Sequence, residues 1–124
     1  MSTTYVDALL GDEDTHLSRV RRQIIEQGMP EISVQPLVAR FLGLLVAIQR
    51  PARILEIGAL GGLSAIVMGR RLPAAGQIVS LELEAHHIAD WDSVLTSHPG
   101  RLGLCPGIGS GFFVGWLGLR KTIP

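Results

Sequence analysis

The sequence predicts a partial doubly wound α/β fold, in which crossover helices join parallel strands. Two short apolar strands, residues 53–57 and 77–83, alternate with segments of helical periodicity, which is the pattern of that class. The chain has 124 residues, 47% of them hydrophobic, with no net charge, which suits one globular domain. Two strands cannot complete such a sheet. Either the chain is a partial domain, or its C-terminal part supplies strands that the pattern does not reveal.

Four helices are expected around these strands. The first begins at Thr15, which can act as its N-cap, and ends before Gly28 and Pro30. The second is capped by Ser33 and carries Pro36 in its first turn, where proline is tolerated. The expected helices are residues 15–27, 34–48, 62–72 and 85–95.

The last quarter of the chain differs in composition from the rest. All eleven acidic residues lie at or before Asp92, whereas residues 93–124 contain none and hold seven glycines and three prolines. We therefore divide the chain into a domain over residues 1–92 and an irregular or disordered Gly-rich tail over residues 93–124. The uncharged run 102–119 is 18 residues long, but six glycines make it a weak helix, so no membrane span is expected.

Charge and cysteine content restrict the partners and the compartment. Eleven basic residues balance eleven acidic ones, so nothing favours nucleic acid or an anionic membrane. The single cysteine, Cys105, cannot form an internal disulfide, and the acidic N-terminal segment does not resemble a signal peptide. We expect a cytoplasmic protein.

The turn between the first strand and the next helix, residues 58–62, is the expected ligand site. Its glycines permit a positive φ, and the helix start presents free N–H groups. Leu60 lies where a dinucleotide motif needs glycine, which disfavours a nicotinamide-binding fragment. Glu56 in the strand disfavours phosphate and favours a cationic ligand such as S-adenosylmethionine, and Glu82 at the end of the second strand can accept hydrogen bonds from a ribose.

Each of these features also has a purely structural interpretation. The glycines could make a tight turn without a ligand, and the two acids could be satisfied by neighbours or by solvent. His86 and His87 diverge by about 100° on a helix, so we expect surface histidines and no metal chelate. Asp90 and Asp92 are expected to be solvated surface acids.

Three stretches together resemble the class I, cation-dependent O-methyltransferases of the caffeoyl-CoA and catechol type and their bacterial and fungal relatives. Residues 28–36 read GMPEISVQP, similar to the family's G-M-P-x-I-x-V-S-P. Residues 54–73 read ILEIGALGGLSAIVMGRRLP, similar to L-E-I-G-T-x-x-G-Y-S followed by A-x-x-L-P, and residues 76–82 resemble the family's second strand. The resemblance covers about residues 5–90. It implies a Rossmann-like class I methyltransferase fold and methyl transfer to a hydroxyl of a catechol-like or other small aromatic acceptor.

The resemblance also implies that the cofactor is S-adenosylmethionine. Glu56 and Ser64 would hold the methionine amino and carboxylate groups, and Glu82 the ribose, while Val34 would close over the cofactor. Leu63, Ala59 and Ala39 replace the family's usual Tyr, Thr and Gly, which would weaken side-chain contacts. The implied cofactor-binding residues are Val34, Glu56, Gly58, Ala59, Gly62, Ser64 and Glu82.

Metal and catalytic residues are the main departure from the family pattern. The family holds a divalent cation of the Mg type with acids on later strands and uses a nearby Lys on the acceptor hydroxyl, whereas this chain has no acid after Asp92. We therefore assign no metal ligand and no catalytic residue, and expect no turnover from the isolated chain. The tail is most simply explained by a shifted frame, an altered splice or a truncation near Asp90. The alternative is a non-catalytic binding or regulatory fragment, present as a homodimer or paired with a full-length relative.

Overall fold

The computed structural model describes residues 5, 8, 9, 11, 13–88, 101–105 and 113–118. Its helices alternate with strands in the order that the sequence predicts, and two further strands follow. The helices are α1 (Thr15–Glu26), α2 (Pro36–Gln49), α3 (Leu63–Gly69) and α4 (Ala85–Ile88), and the strands are β1 (Arg53–Ile57), β2 (Gln77–Glu82), β3 (Arg101–Cys105) and β4 (Phe113–Gly118).

The helix starts differ from the expected caps. The N-cap of α1 is Asp14 and not Thr15, because the Asp14 carboxylate accepts hydrogen bonds from the N–H groups of His16 and Leu17 at 3.0 and 3.1 Å. Gln35 precedes α2 without a side-chain cap, so Ser33 does not serve there. The helix begins at Pro36, whose fixed φ and missing N–H suit a first helical position.

The sheet combines a parallel pair with an antiparallel extension. Its order is β1-β2-β4-β3; β1 and β2 run parallel, whereas β4 is antiparallel to both β2 and β3. The first strand has the expected bounds, and β2 ends one residue earlier than expected. The tail that we expected to be irregular supplies β3 and β4.

Several expectations fall on residues that are not described. These are the predicted helix beyond Ile88, the two acids Asp90 and Asp92, and the boundary at residue 92. Within the described residues, no helix is both long and apolar enough to cross a membrane.

Helix α3 lies at the centre of two apolar clusters, and six of its seven residues are buried. One cluster joins it to α1 through Val20, Ile24 and Ile66. The other joins Met68 of this helix to Ile78 of the sheet and Val46 of α2. Together they fix the loop that precedes α3 against α1 and β2.

Other apolar side chains of α2 and β1 remain open to solvent. Phe41 and Ile48 are 57% and 65% exposed, and Leu55 and Ile57 on β1 are 64% and 76% exposed. A parallel strand is normally covered on both faces. Within the described residues, β1 pairs with β2 alone.

Candidate functional site

The β1–α3 loop, residues 58–62, forms a tight turn with an unusual backbone. Gly58, Leu60 and Gly62 have φ values of 80°, 48° and 77°, all in the left-handed region. The turn is closed by two hydrogen bonds of 2.8 Å, from Gly58 N to the carbonyl of Leu81 and from Gly62 N to the carbonyl of Ala59. For Leu60 the left-handed conformation costs about 1–2 kcal/mol, so surrounding contacts must hold it.

Gly61 allows this loop to approach α1. A Cβ atom at this position would lie 2.3 Å from Cγ1 and 2.6 Å from Cδ1 of Ile24, which is closer than real Cβ atoms come to their neighbours. Because Ile24 belongs to the core cluster around α3, any larger residue at 61 would push the loop away from α1.

Glu82, at the end of β2, joins the loop to the segment that follows the strand. One carboxylate oxygen accepts hydrogen bonds from Ala59 N at 3.0 Å and Leu60 N at 2.6 Å. The other accepts from Leu83 N at 2.8 Å and Glu84 N at 3.1 Å. These four bonds fix both the strained loop and the position of the carboxylate.

His87 lies beside Glu82, contrary to the expectation of two surface histidines. It is 7% exposed, and its Nδ1 is 3.4 Å from Glu82 Oε1, whereas the His86 side chain is 62% exposed. Adjacent helical residues diverge, and the start of α4 immediately after β2 turns His87 inward. Burial alone would raise the pKa of Glu82, but the backbone N–H groups and the His87 imidazole outweigh burial and hold the pKa below its ordinary value of 4.5.

Glu56 is a buried acid with two hydroxyl partners. Its Oε1 accepts a hydrogen bond from Ser64 Oγ at 2.5 Å, and its Oε2 accepts one from Ser80 Oγ at 2.6 Å. Ser80 is its neighbour across the parallel pair, and Ser64 lies in the first turn of α3. The two serines reduce the cost of burying this carboxylate within the sheet.

A cavity of about 200 Å³ opens between the loop, the end of β2 and the segment before α2. Two predicted residues do not line it: Glu56, which is bonded to the lining residue Ser64, and Gly62, which is the N-cap of α3. Two polar atoms of lining residues, Ser33 Oγ and His87 Nδ1, are buried and have no hydrogen-bond partner among the residues that the structure describes. The lining residues are Ile32, Ser33, Val34, Gly58, Ala59, Leu60, Leu63, Ser64, Glu82 and His87.

Arg21 holds the segment before α2 in place. Its guanidinium donates to the Val34 carbonyl at 3.0 Å and pairs with Glu13 at 2.9 Å. Val34 thus lies on the wall of the cavity.

A larger cavity, of about 280 Å³, lies elsewhere between α1, α2 and α3. Several of the charged groups that line it have partners within the protein. Arg70 pairs with Asp14, and Arg40 donates to the Gly11 carbonyl. The smaller cavity is lined by residues with buried polar atoms that a ligand would satisfy. We therefore favour it as the binding site.

No metal centre is apparent in the described part of the chain. Nowhere in it do three or more His, Cys, Asp or Glu side chains gather as ligands of one ion. The described site therefore consists of the loop, the two acids and the cavity.

Comparison with known proteins gives matches over the part of the chain that contains this site. A family model described as O-methyltransferase matches residues 8–94. A catechol O-methyltransferase of Niastella koreensis is 42% identical over 85 residues, which are 68% of this chain and 38% of that protein. The chain thus spans about two fifths of the length of this curated relative.

Solved structures match at a similar level. An O-methyltransferase from Bacillus cereus in complex with SAH is 36% identical, with a TM-score of 0.70 over 75% of this chain and 42% of that one. An O-methyltransferase from Streptomyces achromogenes in complex with SAM is 34% identical, with a TM-score of 0.68 over 76% of this chain and 42% of that one.

Proposed function

Because this chain belongs to the O-methyltransferase family, we propose that the cavity beside its β1–α3 loop binds S-adenosylmethionine. The observation that carries the proposal is the placement of Glu82, which lines the cavity and fixes the loop at the same time. The related structures from Bacillus cereus and Streptomyces achromogenes, complexes with SAH and SAM, support it.

The hydrogen bonds of the loop favour this cofactor over a dinucleotide. A pyrophosphate needs free backbone N–H groups at the loop. Here the N–H groups of Ala59 and Leu60 already donate to Glu82, and among the described residues neither Lys nor Arg lines the cavity. An anion beside the Glu82 carboxylate would be repelled, whereas a ligand with a sulfonium and an ammonium group would be attracted.

The predicted cofactor-binding residues have distinct proposed roles. Glu82 would recognise the ribose, and Ser64 the methionine carboxylate, with Glu56 near the amino group and bonded to the Ser64 hydroxyl. Gly58, Ala59 and Gly62 form the turn that lets a ligand approach the backbone, and Val34 would close over it. When bound, the cofactor supplies an electrophilic methyl group on its sulfonium.

The size of the cavity implies weak binding by the isolated chain. Pockets that enclose a whole small ligand usually measure roughly 300–1,000 Å³. At about 200 Å³, this cavity would enclose only part of the cofactor. The rest would remain exposed unless other residues cover it.

We further propose that the whole protein acts in the cytoplasm and transfers the methyl group to a hydroxyl of a catechol-like or other small aromatic acceptor. A divalent cation of the Mg type would lower the pKa of that hydroxyl. In the part of the chain that is described, no cluster of three candidate ligands exists to hold such an ion. The isolated chain should therefore bind cofactor without turnover.

The exposed apolar side chains favour a second role, as a binding fragment that pairs with a full-length relative or with itself. Leu55 and Ile57 on β1 and Phe41 and Ile48 on α2 offer apolar area that a partner could cover. Size-exclusion chromatography with light scattering tests this role. A clean monomer that does not co-elute with a full-length relative would rule it out.

Calorimetric titration of S-adenosylmethionine into the purified chain tests cofactor binding. We expect saturable binding that is lost in Glu82→Gln and kept in Glu84→Gln, because the Glu84 side chain is 56% exposed and lies outside the cavity lining. Circular dichroism would verify that each variant is folded. A folded wild-type chain that does not bind, or a Glu82→Gln variant that binds equally well, would refute the proposed site.

A further inference from the structure

His87 and Glu82 form a buried pair on the wall of the proposed cofactor cavity. Their side chains are 9% and 8% exposed, and both residues line the cavity. The distance between His87 Nδ1 and Glu82 Oε1, 3.4 Å, is longer than a normal hydrogen bond, and Nδ1 makes no hydrogen bond within the described part of the chain. Buried polar atoms are rarely left in this state, so a missing partner is indicated.

The carboxylate of Glu82 favours one tautomer of the His87 imidazole. If Nδ1 carried no hydrogen, two acceptor atoms would face each other at 3.4 Å. The tautomer that carries its hydrogen on Nδ1 avoids this repulsion and presents an N–H donor beside a carboxylate acceptor. At 3.4 Å the contact between the two groups is long, so a third group can be shared between them.

Glu82 has little free capacity for two ribose hydroxyls. Its oxygens already accept four backbone N–H groups, so a ribose hydroxyl could share one of these oxygens but would gain from a second partner. A hydroxyl donates one hydrogen bond and also accepts, so it can engage a carboxylate and an imidazole N–H together. Glu82 and His87 together present this carboxylate and this N–H group.

We propose that His87 is a second ribose-binding residue, whose Nδ1–H donates to the oxygen of a ribose hydroxyl that itself donates to Glu82. The proposal rests on the function proposed above. It adds a residue that none of the motifs in the sequence contains. Ser33 Oγ, also buried and without a partner on the same cavity wall, is further evidence that the cavity is built for a polar ligand.

The test is calorimetric titration with S-adenosylhomocysteine and with its 2′-deoxy and 3′-deoxy analogues. The variant His87→Leu removes the donor, His87→Asn keeps an N–H close to the position of Nδ1, and His86→Leu alters the exposed neighbour. We expect His87→Leu to weaken S-adenosylhomocysteine binding roughly three- to tenfold and His87→Asn to restore much of the loss. His86→Leu should bind like the wild type.

The deoxy analogues separate a direct contact from a structural role. For the analogue that lacks the contacted hydroxyl, wild type and His87→Leu should bind equally. If His87→Leu weakens all three ligands alike, or none of them, the His87 proposal is wrong while the cofactor site stands. If the folded wild-type chain binds none of the three, the proposed function and the His87 contact both fail.

Discussion

The β1–α3 loop forms its hydrogen bonds and packing contacts within this chain, whereas the outer side of α2 leaves apolar side chains exposed. In the loop, Glu82 accepts the backbone N–H groups and Gly61 closes against Ile24. On α2, Phe41 and Ile48 remain more than half exposed. The loop is satisfied by a contiguous strand–helix–strand unit, residues 53–87, together with α1. A local unit can thus form the hydrogen bonds and packing of its own loop while apolar surface elsewhere on the chain remains exposed.

Two substitutions on α2 compare its buried side with its exposed outer side, and the first has the largest expected effect. Val46 is 7% exposed and belongs to the core cluster with Met68, whereas Ile48 is 65% exposed. Val46→Lys would bury an unpaired charge and should lower the free energy of unfolding by about 3 kcal/mol or more. Ile48→Lys should change it by no more than about 0.5 kcal/mol. Urea unfolding followed by circular dichroism measures both, and equal losses would mean that α2 packs differently.

The packing of the loop against α1 is tested at Gly61. Gly61→Ala should destabilise the chain by about 1–3 kcal/mol, because the new methyl group overlaps Ile24. Ile24→Ala removes the overlapping atoms, so the double variant should lose less than the sum of the two single variants. The same urea titrations give the coupling energy. Simple additivity would contradict the close contact.

The pH dependence of stability tests the hydrogen bonds of Glu82. The pKa of this carboxyl is held below its ordinary value of 4.5 in the folded chain. Its contribution is therefore present above about pH 4.5 and is lost as the pH falls through the folded-state pKa. The stability difference between wild type and Glu82→Gln should shrink in that range. If this stability difference does not vary with pH, the negative charge of Glu82 does not stabilise the loop.

The smallest expected effect is at the start of α1. Asp14→Ala should cost about 1 kcal/mol through loss of the N-cap bonds to His16 and Leu17. Asp14→Asn keeps a capping oxygen and removes the ion pair with Arg70, which is partly exposed and should contribute little. Thermal unfolding distinguishes the two variants. An equal loss in both would assign the effect to the ion pair.

Local sequence signals predicted the loop and its two strands well. Pro51, the apolar run and Gly58 delimit β1, and that strand has the expected bounds. Val34, Ser64 and Glu82, which were predicted from the resemblance, line one cavity. These residues belong to short motifs whose geometry depends mainly on their neighbours in sequence.

Features that depend on distant packing were not predictable in this way. The Gly-rich tail has no alternating pattern, and pairing of β4 with β2 makes a strand there. Of two adjacent histidines, the one that faces inward depends on where α4 begins after β2, and this placed His87 beside Glu82. Asp14 and Thr15 are both acceptable caps, and the structure uses Asp14.

Hydrogen exchange with and without S-adenosylhomocysteine tests most directly the proposal that the cofactor binds beside the β1–α3 loop of this chain. Saturating ligand should slow amide exchange in peptides over the β1–α3 loop and over the end of β2, because the loop would open less often. Peptides over α2 should exchange unchanged, and Glu82→Gln should show no protection. Unchanged exchange in the loop of the folded wild-type chain, or protection that appears over α2 instead, would contradict the account.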